Sequence, residues 1–138
     1  MEISQKQKQE IKKIGQRYNL TLILAFGSQI SGFANQKSDL DIAVLDFQPE
    51  SYKRFGELSS NFSDIFKNYN IDLRFIKGAE PVFLYQVFKN CQLLYGEPQL
   101  YYHYKAFAYK NYVDSKSLFK LKENILLKNQ KELEQIIN

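Results

Sequence analysis

Residues 26–45, FGSQISGFANQKSDLDIAVL, decide how this chain folds. The stretch opens on the end of an apolar run, Leu20 to Phe26, bounded by Asn19 and Gly27. Such a run is too short for a helix to be preferred, and it reads as a buried strand. The stretch closes inside a second run, Asp39 to Asp46, where Leu40, Ile42, Val44 and Leu45 mark another strand that Gln48-Pro49 ends. Between the two, Ser28 to Phe33 reads as a short helical turn and Asn35 to Ser38 as a polar loop.

Outward from this centre the pattern alternates between helix and strand. Glu2 to Tyr18 reads as a helix with Ile3, Ile11 and Ile14 toward one face. Ser51 to Asn68 reads as an amphipathic helix carrying Phe55, Leu58, Phe62, Ile65 and Phe66, with Ser51 as its cap. Asn70 to Ile76 is a third strand closed by Lys77-Gly78, and Pro81 opens a helix carrying Phe83, Leu84, Val87 and Phe88. Gln92 to Tyr95 is a short strand or turn, and Leu100 to about Ile137 is one long helix or two joined ones. The order implies an α/β (α+β) sandwich, a small mixed sheet with helices packed on it. The expected division is a core over residues 1–98 and a C-terminal helical extension of the same domain over 99–138.

The chemistry lies in three aspartates. Side chains two apart on a strand share a face, so Asp39 and Asp41 would stand together, roughly 7 Å apart at ~3.3 Å rise per residue. Paired carboxylates repel unless a cation or a proton lies between them. Magnesium takes hard oxygen ligands, commonly one or two carboxylates plus substrate phosphates, and two such ions can stabilise the attacking and leaving oxygens of a nucleotidyl transfer. Asp72, alone in the apolar strand Asn70-Ile71-Asp72-Leu73-Arg74-Phe75-Ile76, completes a three-carboxylate cluster if that strand lies beside Asp39-Asp41. Its role would be to hold the catalytic metal near the attacking hydroxyl and to take its proton. Structural pairing of Asp72 with Arg74 or Lys77 is the competing reading. Gly27 lets a ligand approach the backbone closely, and Ser28 opens a helical turn whose N–H groups attract phosphate.

The stretch GSQISGFANQKSDLDIAVL resembles the signature of the minimal nucleotidyltransferases in the DNA polymerase β superfamily. Within that group the chain is similar to MntA-type antitoxins from about residue 10 to 98, including the segment after Pro81 that ends in LLYGEP. The resemblance implies a polymerase-β-like fold, ATP as donor, two magnesium ions as cofactor and Asp39, Asp41 and Asp72 as their ligands. Gly27 and Ser28 would then cradle the phosphates, with Lys37 and Ser38 as further ATP-binding candidates. It also implies a partner, a HepT-like toxin ribonuclease of the HEPN class, silenced by AMP transfer to one of its tyrosines. The chain departs from the family pattern at one place. Members often carry Arg in G-S-x-x-R-G, where this chain has Ser31, so a bidentate phosphate clamp is absent there.

Composition narrows the alternatives. Cys91 is the one cysteine and His103 the one histidine, which excludes an internal disulfide, a CxxC zinc site and a His-rich metal site. Met1 to Glu10 is polar, without the apolar core of a secretory signal, and no apolar run approaches the roughly 20 residues of a membrane helix. The expectation is a cytoplasmic protein. The 138 residues carry a net charge of +4, with basic ends and a slightly acidic middle: seven Lys/Arg against nine acids between residues 19 and 97. Tyr101, Tyr102, Tyr104, Tyr109 and Tyr112 interleave with Lys105 and Lys110. Base stacking is one use of such a pattern, but packing explains it more simply, and direct nucleic-acid binding is not expected. The helix from Tyr101 to Lys122 is instead a candidate docking surface for a protein acceptor. The leading reading is an antitoxin that adenylylates its toxin. The rivals are a small-molecule, antibiotic-type nucleotidyltransferase and a binding module that neutralises a partner by contact.

Overall fold

In a computed structural model, which describes residues 1–32 and 39–137, the short apolar runs become strands that bury both faces. The elements are α1 (Gln5–Arg17), β1 (Leu22–Phe26), α2 (Ser28–Ser31), β2 (Leu40–Leu45), α3 (Tyr52–Ile65), β3 (Ile71–Phe75), α4 (Pro81–Lys89), β4 (Cys91–Tyr95) and α5 (Pro98–Ile137). The sheet order is β3-β2-β1-β4. β2 runs parallel to β3, and β1 is antiparallel to both β2 and β4, so the sheet is mixed as the sequence predicts.

Alternation along the central strands sorts the core into two layers. Ile23, Ala25, Leu40, Ile42 and Val44 face α1 and α3, where they meet Ile11, Ile14, Leu58 and Phe62. Leu22, Leu24, Ala43 and Leu45 face the other way, onto Val87 and Phe88 of α4 and Tyr101 and Ala108 of α5. Helices therefore cover both faces, the arrangement that lets a strand be apolar on both sides.

Local chemistry sets the element ends. α1 begins three residues later than its apolar pattern suggests because Ser4 and Gln7 form a reciprocal capping box. Ser51 caps α3 by accepting from the Arg54 N–H at 3.1 Å, and Pro81 stands at the start of α4. At Gly96 (φ +124°) the chain turns out of β4 into α5, where a Cβ would meet the Thr21 carbonyl at 2.7 Å. α5 is one continuous helix of 40 residues. Among the described residues no helix is long and apolar enough to cross a membrane.

Among the described residues one charged side chain is buried within this frame. Asp46, just past β2, is 1% exposed. Arg54 of α3 grips it with two bonds, Nε to Oδ2 at 2.6 Å and Nη2 to Oδ1 at 3.1 Å. The Arg54 guanidinium also donates to the Tyr18 carbonyl, and the Gln48 N–H donates to Asp46 at 3.0 Å. This cluster ties the ends of α1, β2 and α3 together.

Candidate active site

β1 ends at Phe26 because Gly27 takes φ +82°, a conformation other residues rarely adopt. The single turn α2 follows, closed by bonds from Ile30 N and Ser31 N to the Gly27 carbonyl and by Gly32 in the left-handed region. At four residues, α2 has only a small dipole, so its phosphate attraction is weaker than a full helix would supply. The Ser31 hydroxyl donates to the Ser28 carbonyl at 3.4 Å, so the position that often holds Arg in the family here closes its own turn.

The strand register brings the acids together. On β2, Asp41 pairs with Phe26 of β1 on one side and with Asp72 of β3 on the other. In-register neighbours share a face, so Asp41 and Asp72 stand side by side on the face that carries α4. Asp39 immediately precedes β2 and is exposed. Gly27 adjoins this group as well, since a Cβ there would collide with the Asp41 carboxylate. The glycine thus serves two needs, a positive φ and space for Asp41.

The electrostatics are those of crowded acids. The Asp41 carboxyl rises from 3.8 to about 6, first because burial disfavours its charge, then because of the Asp72 charge, a hydrogen bond to Asp72 and the more distant Asp39. Arg74 opposes the rise. Its Nε lies 3.3 Å from Asp72 Oδ1 in an exposed pair, so of the two structural partners weighed for Asp72, Arg74 is the one found. Lys77 instead lies over the Phe47 ring, 5.7 Å from its centroid. Arg74 also sits 6.0 Å from the Phe83 ring centroid, and Phe83 packs edge-on against Phe26 at 6.1 Å. Phe83 and Phe26 thereby form an aromatic wall beside the acids.

Among the described residues no three His, Cys, Asp or Glu side chains are arrayed as a ready metal cage. The interactions of Asp41 nevertheless reach both Asp72 and Asp39. The donors are all carboxylate oxygens, the set that suits magnesium rather than a soft metal. Their mutual repulsion is the property a cation would relieve. Lys37 and Ser38 lie outside the described residues.

Two features of the site escape sequence reasoning. The collision of Gly27 with Asp41 depends on strand register. Phe83 comes from a remote helix. The pairing of Arg74 with Asp72 does not escape it, since an Asp-x-Arg on one strand face places a cation beside the third acid.

The model of the family described as Polymerase beta, Nucleotidyltransferase matches residues 9–99. The chain belongs to this family. Three solved structures show the same nucleotidyltransferase fold at low identity. A toxin–antitoxin crystal structure with AMP-PNP is 23% identical at TM-score 0.69, over 87% of this chain and 98% of that one. The toxin–antitoxin MntA-HepT is 21% identical at TM-score 0.66, over 90% and 99%. A tri-AMPylated Shewanella oneidensis HEPN toxin in complex with MNT antitoxin is 23% identical at TM-score 0.62, over 88% and 98%. No curated protein matches the chain.

The remaining sequence candidates separate clearly. Tyr101 is buried against Phe88, and its hydroxyl lies 3.2 Å from the Cys91 thiol; burial pushes both groups upward in pKa. Tyr112 stacks on Tyr85 at 4.1 Å and 8°. Tyr104 packs against the core and Tyr109 lies 6.2 Å from Tyr85, so at least four of the five tyrosines are engaged in packing, and Tyr101 cannot belong to a docking surface. His103 is exposed on α5.

Proposed function

We infer that this nucleotidyltransferase is an antitoxin that transfers AMP from ATP to a tyrosine of a HepT-like HEPN toxin. The observation that carries the reading is the Asp41–Asp72 register pair, with Gly27 holding open the space beside Asp41. Likeness to toxin–antitoxin structures, one with AMP-PNP and one with an AMPylated toxin, supports the choice of donor and acceptor.

In this reading Asp39, Asp41 and Asp72 hold magnesium, which when bound neutralises the triphosphate and the acids around it. The acceptor oxygen attacks the α-phosphorus of ATP. A new P–O bond to the tyrosine forms, the bond to the bridging oxygen breaks, and pyrophosphate leaves with those electrons. Asp72 stands at the sheet edge, where it can take the phenolic proton. Gly27 and Ser28 line the phosphate side, with Lys37 and Ser38 as further candidates there. Residues 1–98 form the catalytic core, and 99–138 are its helical extension.

Purified protein, MgATP and the HEPN toxin should be mixed and the intact masses measured. The toxin is expected to gain one or more AMP units, and none with Asp39→Ala. If its mass stays constant while Asp39→Ala still blocks its ribonuclease, neutralisation is by contact and the transferase reading is wrong.

A further inference from the structure

α5 does not stop where the body stops. β4 pairs Cys91 with Phe26 and Tyr95 with Ile23, so it runs away from the acid-bearing end of the sheet. After Gly96 the chain turns back, and α5 runs along α4, with Tyr101 on Phe88, Tyr104 and Ala108 in the layer of Leu45 and Ile76, and later Tyr112 on Tyr85. The first turn of α4 carries Phe83, which packs on Phe26 and Arg74. α5 therefore reaches the start of α4 near Tyr112 and continues beyond the body. Every residue from 116 to 136 is exposed, an arm of about 30 Å at ~1.5 Å per residue.

The arm is amphipathic. Leu118, Phe119, Leu121, Ile125, Leu126 and Leu133 are each 50–69% exposed. At about 100° per residue they fall within an arc of roughly 160°. Helices in proteins draw most of their stability from packing an amphipathic face, and so extended an exposed apolar face marks an interaction site. The width of the arc identifies what covers it. A two-stranded coiled coil needs only a narrow seam, whereas a broad stripe is that of a helix packed into a globular core or bundle. Between the arm and the body lies a groove of about 710 Å³, lined by the apolar Pro81, Val82 and Phe119 and by two acids, Glu80 and Glu123, beside Lys116 and Lys120. It carries the apolar surface back to the turn that holds Phe83. The adjoining stretch 105–122 has five lysines against one aspartate, so the complementary rim is acidic.

We propose that the arm and this groove dock the acceptor protein, through a pair of its helices with an apolar face and an acidic rim, and so deliver its tyrosine to the carboxylate site. The proposal rests on the transferase reading for the delivery step alone. Docking on an element that projects past the body orients the acceptor without enclosing it.

The test uses the full chain, the HEPN toxin and the double variant Leu118→Glu/Ile125→Glu. Leu127→Glu, on the opposite face of the arm, is the control. Neither variant touches the core, so melting curves and MgATP binding should match wild type. Toxin affinity measured by calorimetry should fall about tenfold or more in the double variant and stay unchanged in the control. AMP transfer at limiting toxin should fall in parallel and recover as toxin is raised. If wild type binds toxin and the double variant loses that binding while no AMP is ever transferred, docking stands and the transferase reading fails. Wild-type toxin affinity in the double variant overturns the proposal, as does a wild type that does not bind toxin at all. Loss of self-association in the double variant with toxin binding intact overturns it too, and assigns the arm to a second copy of the chain.

Discussion

The two ends of β2 carry acids in opposite circumstances. Asp46 at one end is buried, and its carboxylate is met by two guanidinium bonds and a backbone N–H. Asp41 at the other end is half-buried beside Asp72, and among the described residues the guanidinium that opposes their charge is that of the exposed Arg74. Both ends bury acid on the same strand, yet the first is compensated within the fold and the second is not. A fully compensated acid has nothing left to offer a ligand. An under-compensated cluster stores repulsion that an incoming cation can relieve, which is how binding sites and stability come to oppose one another.

The comparison is broken most forcefully at the compensated end. Arg54→Ala leaves Asp46 buried and unpaired, and such a loss costs about 3–5 kcal/mol. Urea denaturation should show it as a large drop in midpoint with little change in slope. A loss below about 1 kcal/mol, the range of surface pairs, would place this bridge among the ornamental ones.

At the other end Gly27→Ala has a double effect. A side chain at φ +82°, ψ −154° sits in a region essentially reserved to glycine and costs on the order of 1–3 kcal/mol, and its Cβ displaces the Asp41 carboxylate. Stability should fall by roughly that amount, while MgATP affinity measured by titration should fall much further than such a loss explains. Unchanged affinity would separate Gly27 from the site.

Asp41→Asn should have the smallest effect on stability, and of opposite sign. The Asp41 carboxyl titrates at about 6 in the fold against an ordinary 3.8. Above pH 6 it is ionised in both states, and the native state bears the full repulsion. As pH falls from about 6 to 4 the native state takes up the proton first, and the repulsion disappears. The Asn variant should therefore melt slightly higher than wild type at pH 7 to 8, with the gap closing below about pH 4. A variant that melts lower at pH 7.5 would mean that Asp41 is a structural acid like Asp46.

Sequence pattern conveyed the frame well and the contacts poorly. Leu20 to Phe26 is a short continuous apolar run, Leu40, Ile42, Val44 and Leu45 mark the next, and each core helix shows its stripe, so the strands and helices were legible from residue type alone. Spacing by two suggested a common face for Asp39 and Asp41, but Asp39 precedes β2, and the pair that the register brings together is Asp41 with Asp72. The role of Asp46 was not legible: Arg54 lies eight residues on, across a turn, and nothing local joins them. Nor could pattern show that Gly27 faces Asp41, because that contact requires the β1–β2 register. Tyr101 looked like part of a basic aromatic surface, but the turn at Gly96 rotates it onto Phe88. The arm was invisible because a helix pattern gives length and not the point at which the body ends.

The central claim is that Asp39, Asp41 and Asp72 form a cation site whose repulsion magnesium relieves. The most direct measurement is the shift in melting temperature on adding magnesium, at pH 7.5 and pH 5, for wild type and Asp41→Asn. Binding to the native state alone must raise the melting temperature. The account predicts a clear rise for wild type at pH 7.5 and a smaller one at pH 5, where Asp41 holds a proton that competes with the metal. It predicts little or no rise for Asp41→Asn at either pH. An equal rise in both proteins, independent of pH, would contradict it and place the bound magnesium elsewhere.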